Sequence, residues 1–142
     1  MIVAGSVEER GRSNLLKRTL IGIFRSHEQT GEKASDPLLK TRYYNMPKDQ
    51  AWEEVVTLLK KMPKYKVLHE VKNVGEIVVE KRTATGRIQD ITIMLFSVNP
   101  VKTAIDIYSA SRGSMGDLGS NYRTILELFQ QIDKKMAAYK VM

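Results

Sequence analysis

The chain has 142 residues, enough for one domain with a substantial core, and its 42% hydrophobic and 27% charged residues are ordinary for a globular protein. It contains no cysteine, which excludes disulfides, zinc–thiolate and iron–sulfur sites, and its two histidines, His27 and His69, are far apart in sequence. The formal net charge of +7 favours anionic partners through long-range attraction. We therefore expect neither a metal ion nor any other cofactor.

The first 36 residues differ from the rest, and we expect an amphipathic, flexible amino-terminal segment that ends in a linker over residues 27–36. Residues 20–24 are apolar, but this run is far shorter than the roughly 20 residues that cross a bilayer. Basic residues lie elsewhere on a helix whose apolar side is formed by Leu15, Leu16, Leu20, Ile23 and Phe24. A basic amphipathic helix over residues 12–25 could contact an anionic membrane surface. Packing on its own domain or on a neighbouring subunit is the alternative.

A single domain is expected from residue 37 to residue 142, and it begins with a short strand over residues 40–45. Asn45-Met46-Pro47 then predicts a helix start, because a capping residue and a proline in the first turn favour one. The helix ends before Pro63, and its buried stripe is predicted to be Trp52, Val55, Val56, Leu59 and Met62. The simplest interpretation of the basic run at its end is a solvated helix terminus matched to the helix dipole: Lys60, Lys61, Lys64 and Lys66.

Three or four strands follow, over residues 65–71, 75–83, 88–98 and 102–111, because alternating apolar runs are separated by short turns. We expect Val67, His69 and Val71 to share one side of the first of these strands. In each of the later strands, alternation puts the following apolar side chains on one face of the strand: Ile77 and Val79, then Ile91, Ile93 and Leu95, then Ile105 and Ile107.

A long final helix over residues 118–139 is predicted from one apolar stripe, formed by Leu118, Tyr122, Ile125, Phe129, Ile132 and Met136. Consecutive strands with short turns require an antiparallel sheet, and two helices must cover its apolar face. The sequence therefore predicts a two-layer α+β domain with an antiparallel sheet of four or five strands, in the order strand, helix, strands, helix. By analogy the architecture is helix-grip or TATA-binding-like, which by itself assigns no function.

The junction between the last strand and the last helix, residues 110–123, combines three glycines with two arginines, an aspartate and an asparagine. One interpretation of this junction is structural: Asp117 caps the helix, the glycines allow the turn or a close backbone approach, and Arg112 or Arg123 pairs with Asp117 or Asp90. The residues assigned to this bracing and capping role are Asp90, Gly113, Gly116, Asp117 and Gly119.

The second interpretation of the junction is a pocket for an anion. Free amides at a helix start attract negative charge, and a guanidinium can bind phosphate or carboxylate through two hydrogen bonds. The chain lacks the glycine-rich spacing of a nucleoside triphosphate loop or of a dinucleotide-binding turn. The residues expected to converge on the ligand are Ser111, Arg112, Ser114, Asn121 and Arg123.

Residues 105–123, which read IDIYSASRGSMGDLGSNYR, are similar to the signature of an uncharacterised bacterial family, domain of unknown function 1499. Members of that family show Ser-Ala-Ser-Arg, a glycine, Asp-Leu-Gly and then Asn-Arg at a helix start. Ala51-Trp52 and Asp90 also fit, so the resemblance covers residues 36–132. The chain departs from the family by having Tyr122 in place of an arginine and by lacking an amino-terminal cysteine. The resemblance implies no activity.

We favour a non-catalytic binding or interaction module that is cytoplasmic and peripheral to the membrane, with an anionic small molecule as its expected ligand. A small hydrolase using Asp90, Asp117 and Arg112 is the alternative, although no Gly-x-Ser-x-Gly elbow is present and His69 is the one histidine of the domain. A non-specific nucleic-acid binder agrees with the charge, but no nucleic-acid-binding motif appears, so this partner is not expected. Homo-oligomerisation through a sheet edge stays open.

Overall fold

The computed structural model describes residues 27–113 and 119–141, in which six antiparallel strands form one open sheet. The strands are β1 (His27–Gln29), β2 (Arg42–Tyr44), β3 (Tyr65–Val71), β4 (Glu76–Arg82), β5 (Ile88–Asn99) and β6 (Lys102–Ser111). Their order across the sheet is β1-β6-β5-β4-β3, and β2 pairs with β6 beyond the end of β1. The strands predicted over residues 40–45 and 65–111 are therefore confirmed, to within one or two residues at their ends.

Two helices, α1 (Lys48–Lys61) and α2 (Ser120–Lys135), accompany the sheet, together with short 3-10 helices at Pro37–Leu39 and Ala137–Tyr139. Helix α1 ends at Lys61, just before Pro63, as predicted. Its start differs from the prediction: Pro47 is itself the N-cap residue and precedes the first turn, and no described side chain caps the helix. The predicted final helix is shorter than expected at its carboxyl end. Its regular part stops at Met136, and the chain then tightens into a 3-10 turn before Lys140 pairs with Tyr44.

Both helices lie on the same side of the sheet, which we call the inner face, and the opposite side is the outer face. Alternating strand residues meet the apolar stripes of both helices in one core, in which Ile77, Ile93 and Ile107 are fully buried. Trp52 and Leu59 of α1 and Ile125 and Phe129 of α2 complete this core. The predicted two-layer α+β fold is confirmed.

The sheet has one more strand than the four or five predicted, because residues 27–29 pair with β6 instead of belonging to a linker. The linker prediction is therefore wrong at β1. Thr30 holds this strand in place: its hydroxyl accepts a hydrogen bond from the amide of Ile107 at 2.8 Å and donates one to Asp106 at 2.7 Å. A strand of three residues, held by main-chain pairing and one threonine, carries no apolar alternation that sequence analysis could detect.

The prediction that Val67, His69 and Val71 share one side of β3 is also wrong. The register shifts between Val67 and His69, so Val67 lies opposite Val79 on the inner face, whereas His69 lies opposite Val78 on the outer face. Such a shift is a β-bulge, in which one extra residue reverses the faces of all residues that follow it. As a result Glu70 turns toward α1 and forms an ion pair with Lys60 at 3.2 Å.

Candidate functional site

The first turn of α2 is joined to β6 by Asn121, which is fully buried. The hydroxyl of Ser109 donates to Oδ1 of Asn121 at 2.6 Å, and Nδ2 of Asn121 donates to the hydroxyl of Ser111 at 2.9 Å. Both ends of the amide are thus satisfied by neighbours of the inner face. Because a buried amide without partners is costly, this arrangement fixes the position of the helix start on the sheet.

The same polar arrangement continues along the inner face toward β3. Nε2 of Gln89 donates to the hydroxyl of Ser120 at 2.8 Å, and the hydroxyl of Thr124 donates to Oε1 of Gln89 at 2.6 Å. We call the whole set the junction network, and its members are Tyr65, Lys81, Gln89, Ser109, Ser111, Ser120, Asn121, Thr124 and Glu127. Polar residues at core-facing strand positions, such as Gln89, are the sequence signal for it, and the sequence analysis missed that signal.

The far end of the junction network contains an ion pair and a buried tyrosine. Nζ of Lys81 lies 3.4 Å from the Glu127 carboxylate and donates to the hydroxyl of Thr124 at 3.1 Å. The Tyr65 hydroxyl donates to the same carboxylate. Burial, and then the hydrogen bond to Glu127, raise the pKa of Tyr65 well above its ordinary value. The members of the junction network serve as one another's hydrogen-bond and ion-pair partners. This is expected of residues that hold a helix on a sheet.

Arg112 lies on the outer face, where it binds two carboxylates. Its Nε and Nη2 donate to Asp90 at 2.9 and 2.7 Å, and Nη2 also donates to Glu80 at 2.9 Å. Hydrogen bonding to Asp90 is the main reason why the pKa of Arg112 is raised. Glu80 and Asp90 are directly opposite each other on β4 and β5, so the guanidinium relieves the repulsion between them. The predicted pairing of Arg112 with Asp90 is present.

The predicted anion pocket is therefore divided between two faces of the sheet. Ser111 and Asn121 bind each other on the inner face, whereas Arg112 is directed to Asp90 and Glu80 on the outer face. Strand alternation separates Ser111 from Arg112, as it does any two neighbouring residues of a strand. Ser111 and Asn121 thus do not converge with Arg112 on one ligand.

The remaining junction residues give a mixed result. Gly113 and Gly119 have positive φ angles of 112° and 81°, a conformation that glycine adopts without strain. The close backbone approach predicted at Gly119 is not found among the described residues: the nearest group is the Arg123 guanidinium, 3.3 Å from where a Cβ would stand. Ser114, Gly116 and Asp117 lie outside the described residues, so their predicted roles stay predictions.

Asp90 and Asp106 do not form a pair of acids at one site. Asp106 accepts hydrogen bonds from Thr30 and Thr41, and it lies opposite Met94, four residues along β5 from Asp90. Strand geometry puts the two carboxylates on the order of 14 Å apart, farther than the spacing at which paired acids act on one bond. His69 lies on the outer face, away from Ser109 and Ser111. Within residues 27–113 and 119–141 no group of three metal-ligating side chains is found.

A second site, absent from the sequence analysis, is an open cavity of about 480 Å³ at the corner where β3 begins and β4 ends. We call it the basic groove, and its lining residues are Pro63, Lys64, Tyr65, Lys66, Glu80, Arg82 and Thr83. The Arg82 amide donates to the Lys64 carbonyl at 3.2 Å, so the two residues are held side by side. Sequence reasoning found the lysines but missed Arg82, which only the β3–β4 pairing brings to them.

The charge in the basic groove is not neutralised by the described part of the chain. Lys64, Lys66 and Arg82 are exposed, and none of their side chains forms an ion pair or hydrogen bond with a described residue. Glu80, the one acid of the lining, is already bound to Arg112 at 2.9 Å. The three cations therefore differ from Arg112 and from Lys60, whose charges are paired with acids of the chain.

The amphipathic segment predicted over residues 12–25 lies outside the described residues, so its membrane contact stays a prediction. Among the helices that the structure does describe, none combines the length and the apolar character needed to cross a membrane.

Comparisons with known proteins identify a family but no activity. The sequence model of a family described as a protein of unknown function, DUF1499, matches residues 23–132. No curated protein matches the sequence. Among solved structures, the chain is similar to the Zhui aromatase/cyclase from Streptomyces sp. R1128 at 12% identity, over 80% of this chain and 87% of that one, with a TM-score of 0.34. A likeness this distant carries no argument about function.

Proposed function

The chain belongs to the DUF1499 family of proteins of unknown function, and from this premise we propose that it is a non-catalytic binding module whose basic groove recognises an anionic, phosphate-bearing small molecule. The observation that supports the proposal is a set of three cations around one cavity, Lys64, Lys66 and Arg82, that form no ion pair with a described residue. We further propose that it acts in the cytoplasm, a compartment that suits a chain without cysteine.

Electrostatics favours the basic groove over the junction as the anion site. A concave surface lined by one sign of charge concentrates the field and attracts counter-charged ligands. A guanidinium beside two ammonium groups supplies both two-pronged and point-charge contacts to phosphate oxygens. At the junction, by contrast, Arg112 already binds two carboxylates, and a phosphate would have to displace them.

The junction also gives little support to the alternative of a hydrolase. Such an enzyme would need Asp90 free to act on a water molecule, with Arg112 free to stabilise charge on the substrate. Both oxygens of Asp90 are bound by Arg112, so each group neutralises the other. The function proposed is therefore binding, with the described carboxylates serving the fold.

Titration calorimetry with inorganic tripolyphosphate tests the proposal on the full chain. Replacing Lys64, Lys66 and Arg82 by alanine should weaken binding at least about tenfold, because charge-assisted hydrogen bonds contribute roughly 1.5–3 kcal/mol each. The matched control replaces Lys33, Lys40 and Lys134 by alanine. These lysines are exposed, and their replacement also removes three positive charges. An equal loss of affinity in both variants would show that only net charge matters and would overturn the proposal.

A further inference from the structure

The outer face of the sheet has no helix on it in the described part of the chain, because α1 and α2 both pack on the inner face. Its centre is formed by two rows that cross the strands in register. Val78, Thr92 and Tyr108 lie opposite one another in the first row, and the second row is Glu76, Met94 and Asp106. All six are half-buried by their strand neighbours. We call these six residues the outer strip.

The outer strip combines apolar side chains with two carboxylates that no cation of the described chain neutralises. Glu76 forms no side-chain ion pair or hydrogen bond with a described residue, and Asp106 accepts hydrogen bonds only from the hydroxyls of Thr30 and Thr41. Phe96 extends the apolar part of this face and is 47% exposed. The strip is therefore matched to a partner with an apolar side and positive charges.

The chain contains such a partner immediately before β1. Residues 1–26 precede His27, the first residue of the edge strand that flanks the outer strip at Tyr108. The His27 ring stacks on Tyr108 with ring centroids 6.0 Å apart, so the His27 side chain lies on the outer face. Residues 1–26 carry five arginines and lysines against two glutamates. Their predicted apolar stripe runs from Leu15 to Phe24.

The dimensions of the two surfaces agree. In a helix, Leu15 and Phe24 are nine residues apart, which is about 14 Å along the axis at 1.5 Å per residue. From β1 across β6 and β5 to β4 there are three strand spacings, also about 14 Å at roughly 4.8 Å each. A helix that starts from the edge at β1 can therefore cover the outer strip as far as Val78. The docked segment would leave the basic groove open, because the segment and the groove are both positively charged and repel each other.

We propose that residues 12–25 dock as an amphipathic helix on the outer strip of their own chain, with the apolar stripe on Val78, Met94 and Tyr108 and the cations near Glu76 and Asp106. The domain then has a third layer, supplied by its amino-terminal segment. This inference is independent of the function proposed for the basic groove.

Disulfide trapping tests the proposal on the full chain, which has no cysteine of its own. One variant combines Leu20→Cys with Thr92→Cys in the strip, and a second combines Leu16→Cys with Val78→Cys. The control combines Leu20→Cys with Thr57→Cys, an exposed position on α1 at the other side of the sheet. Docking should make at least one strip pair close intramolecularly about tenfold faster than the control pair, because docking raises the effective concentration of the two thiols.

Further variants separate docking from its alternatives. Leu16→Asp in the Leu20→Cys/Thr92→Cys chain should reduce closure to the control rate, whereas Asn14→Asp, on the opposite side of the predicted helix, should not. Equal rates for the strip pairs and the control would overturn the proposal. So would a predominance of disulfide-linked dimers, which would make a second copy the occupant. Equally slow closure of all pairs in solution, together with binding of the chain to phosphatidylcholine–phosphatidylglycerol vesicles that Leu16→Asp abolishes, would assign the stripe to a membrane and would also overturn it.

Discussion

Asn121 shows how one side chain determines where a helix meets a sheet. Its amide oxygen and nitrogen bind Ser109 and Ser111, two residues that β6 directs to the same face. A larger apolar residue could not replace both bonds, and a shorter polar one could not reach both serines. The side chain that the sequence suggested as a ligand-binding group is therefore explained by the fold alone.

Replacing Asn121 by alanine should lower the free energy of unfolding by about 1–3 kcal/mol, because the buried Ser109 hydroxyl and the half-buried Ser111 hydroxyl lose their partner. Urea unfolding followed by circular dichroism measures the change. Asn45→Ala is the control: this side chain is exposed and has no hydrogen bond to a described residue, so the substitution should change stability by less than about 0.5 kcal/mol. Equal effects for both variants would mean that the junction network contributes nothing specific.

Arg112→Ala should reduce stability slightly, and it should also weaken tripolyphosphate binding, because the Glu80 carboxylate in the lining of the basic groove is then no longer neutralised. The substitution leaves Glu80 and Asp90 opposite each other without a cation, and the repulsion between them is then uncompensated. Adding Glu80→Gln to the same chain should restore the melting temperature. High salt should reduce the difference in melting temperature between Arg112→Ala and the unaltered chain, because salt screens the repulsion. The double variant Arg112→Ala/Glu80→Gln has no acid in the groove lining, so it should bind tripolyphosphate as the unaltered chain does. If it fails to bind phosphate while the fold is retained, the bracing role assigned to Arg112 is wrong.

At the scale of elements, strong periodic signals could be read from the sequence and weak ones could not. The strands from Tyr65 to Ser111 and both helices follow from alternation, turns and apolar stripes. Strand β1 is too short and too polar for such a signal, and its pairing depends on Thr30 meeting a distant strand. The bulge in β3 reverses the face of His69 without any glycine or proline to mark it. Both features are set by tertiary pairing and not by local preference.

The turn between β3 and β4 should be more sensitive to substitution than the turn between β4 and β5. Gly75 and Gly86 have nearly the same φ, 87° and 86°, yet a Cβ on Gly75 would stand 2.3 Å from the Leu95 carbonyl oxygen, whereas at Gly86 nothing lies within 4 Å. Gly86→Ala should cost about 1–2 kcal/mol from backbone strain alone. Gly75→Ala should cost roughly 1–3 kcal/mol more, because backbone must move to accommodate the methyl group.

Denaturant unfolding of the two glycine variants provides the comparison. The unaltered chain is the reference, and both variants are unfolded with the same denaturant and probe. The difference between their unfolding free energies then measures the cost of the contact between a methyl group at position 75 and the Leu95 carbonyl oxygen. If Gly75→Ala is no less stable than Gly86→Ala, the close packing of this turn against β5 is contradicted.

For the whole molecule, stability should fall in alkaline solution. Burial first, then hydrogen bonds to Asp133 and Glu127, raise the pKa values of Tyr44 and Tyr65 above their ordinary value. Above pH 10 the unfolded chain loses these two protons while the folded chain keeps them. The folded state then binds more protons, so the free energy of unfolding should decrease by about 1.4 kcal/mol per pH unit for each tyrosine.

Urea unfolding between pH 8 and pH 11 measures this dependence. Below pH 10 both tyrosines are protonated in both states and should contribute no slope. Tyr65→Phe should make the fall of the unfolding free energy above pH 10 shallower by the contribution of one tyrosine, about 1.4 kcal/mol per pH unit. A flat profile up to pH 11, or an unchanged slope in Tyr65→Phe, would contradict the burial assigned to these side chains.

The sequence predicted the architecture of the molecule better than its site. Fold class follows from patterns of whole elements, which persist when one residue is misjudged. A site depends on which face each side chain occupies, and at the end of β6 one residue separates Ser111 on the inner face from Arg112 on the outer face. The basic groove depends on Arg82 meeting Lys64 across two strands, a contact that no local spacing encodes.

Chemical-shift mapping of the full chain during titration with tripolyphosphate tests the central claim most directly. The account predicts that the backbone amides of Lys64, Lys66 and Arg82 shift together and saturate at one dissociation constant, while those of Ser111 and Asn121 stay in place. Saturable shifts centred on Ser111, Asn121 and Arg123, with none in the basic groove, would contradict it.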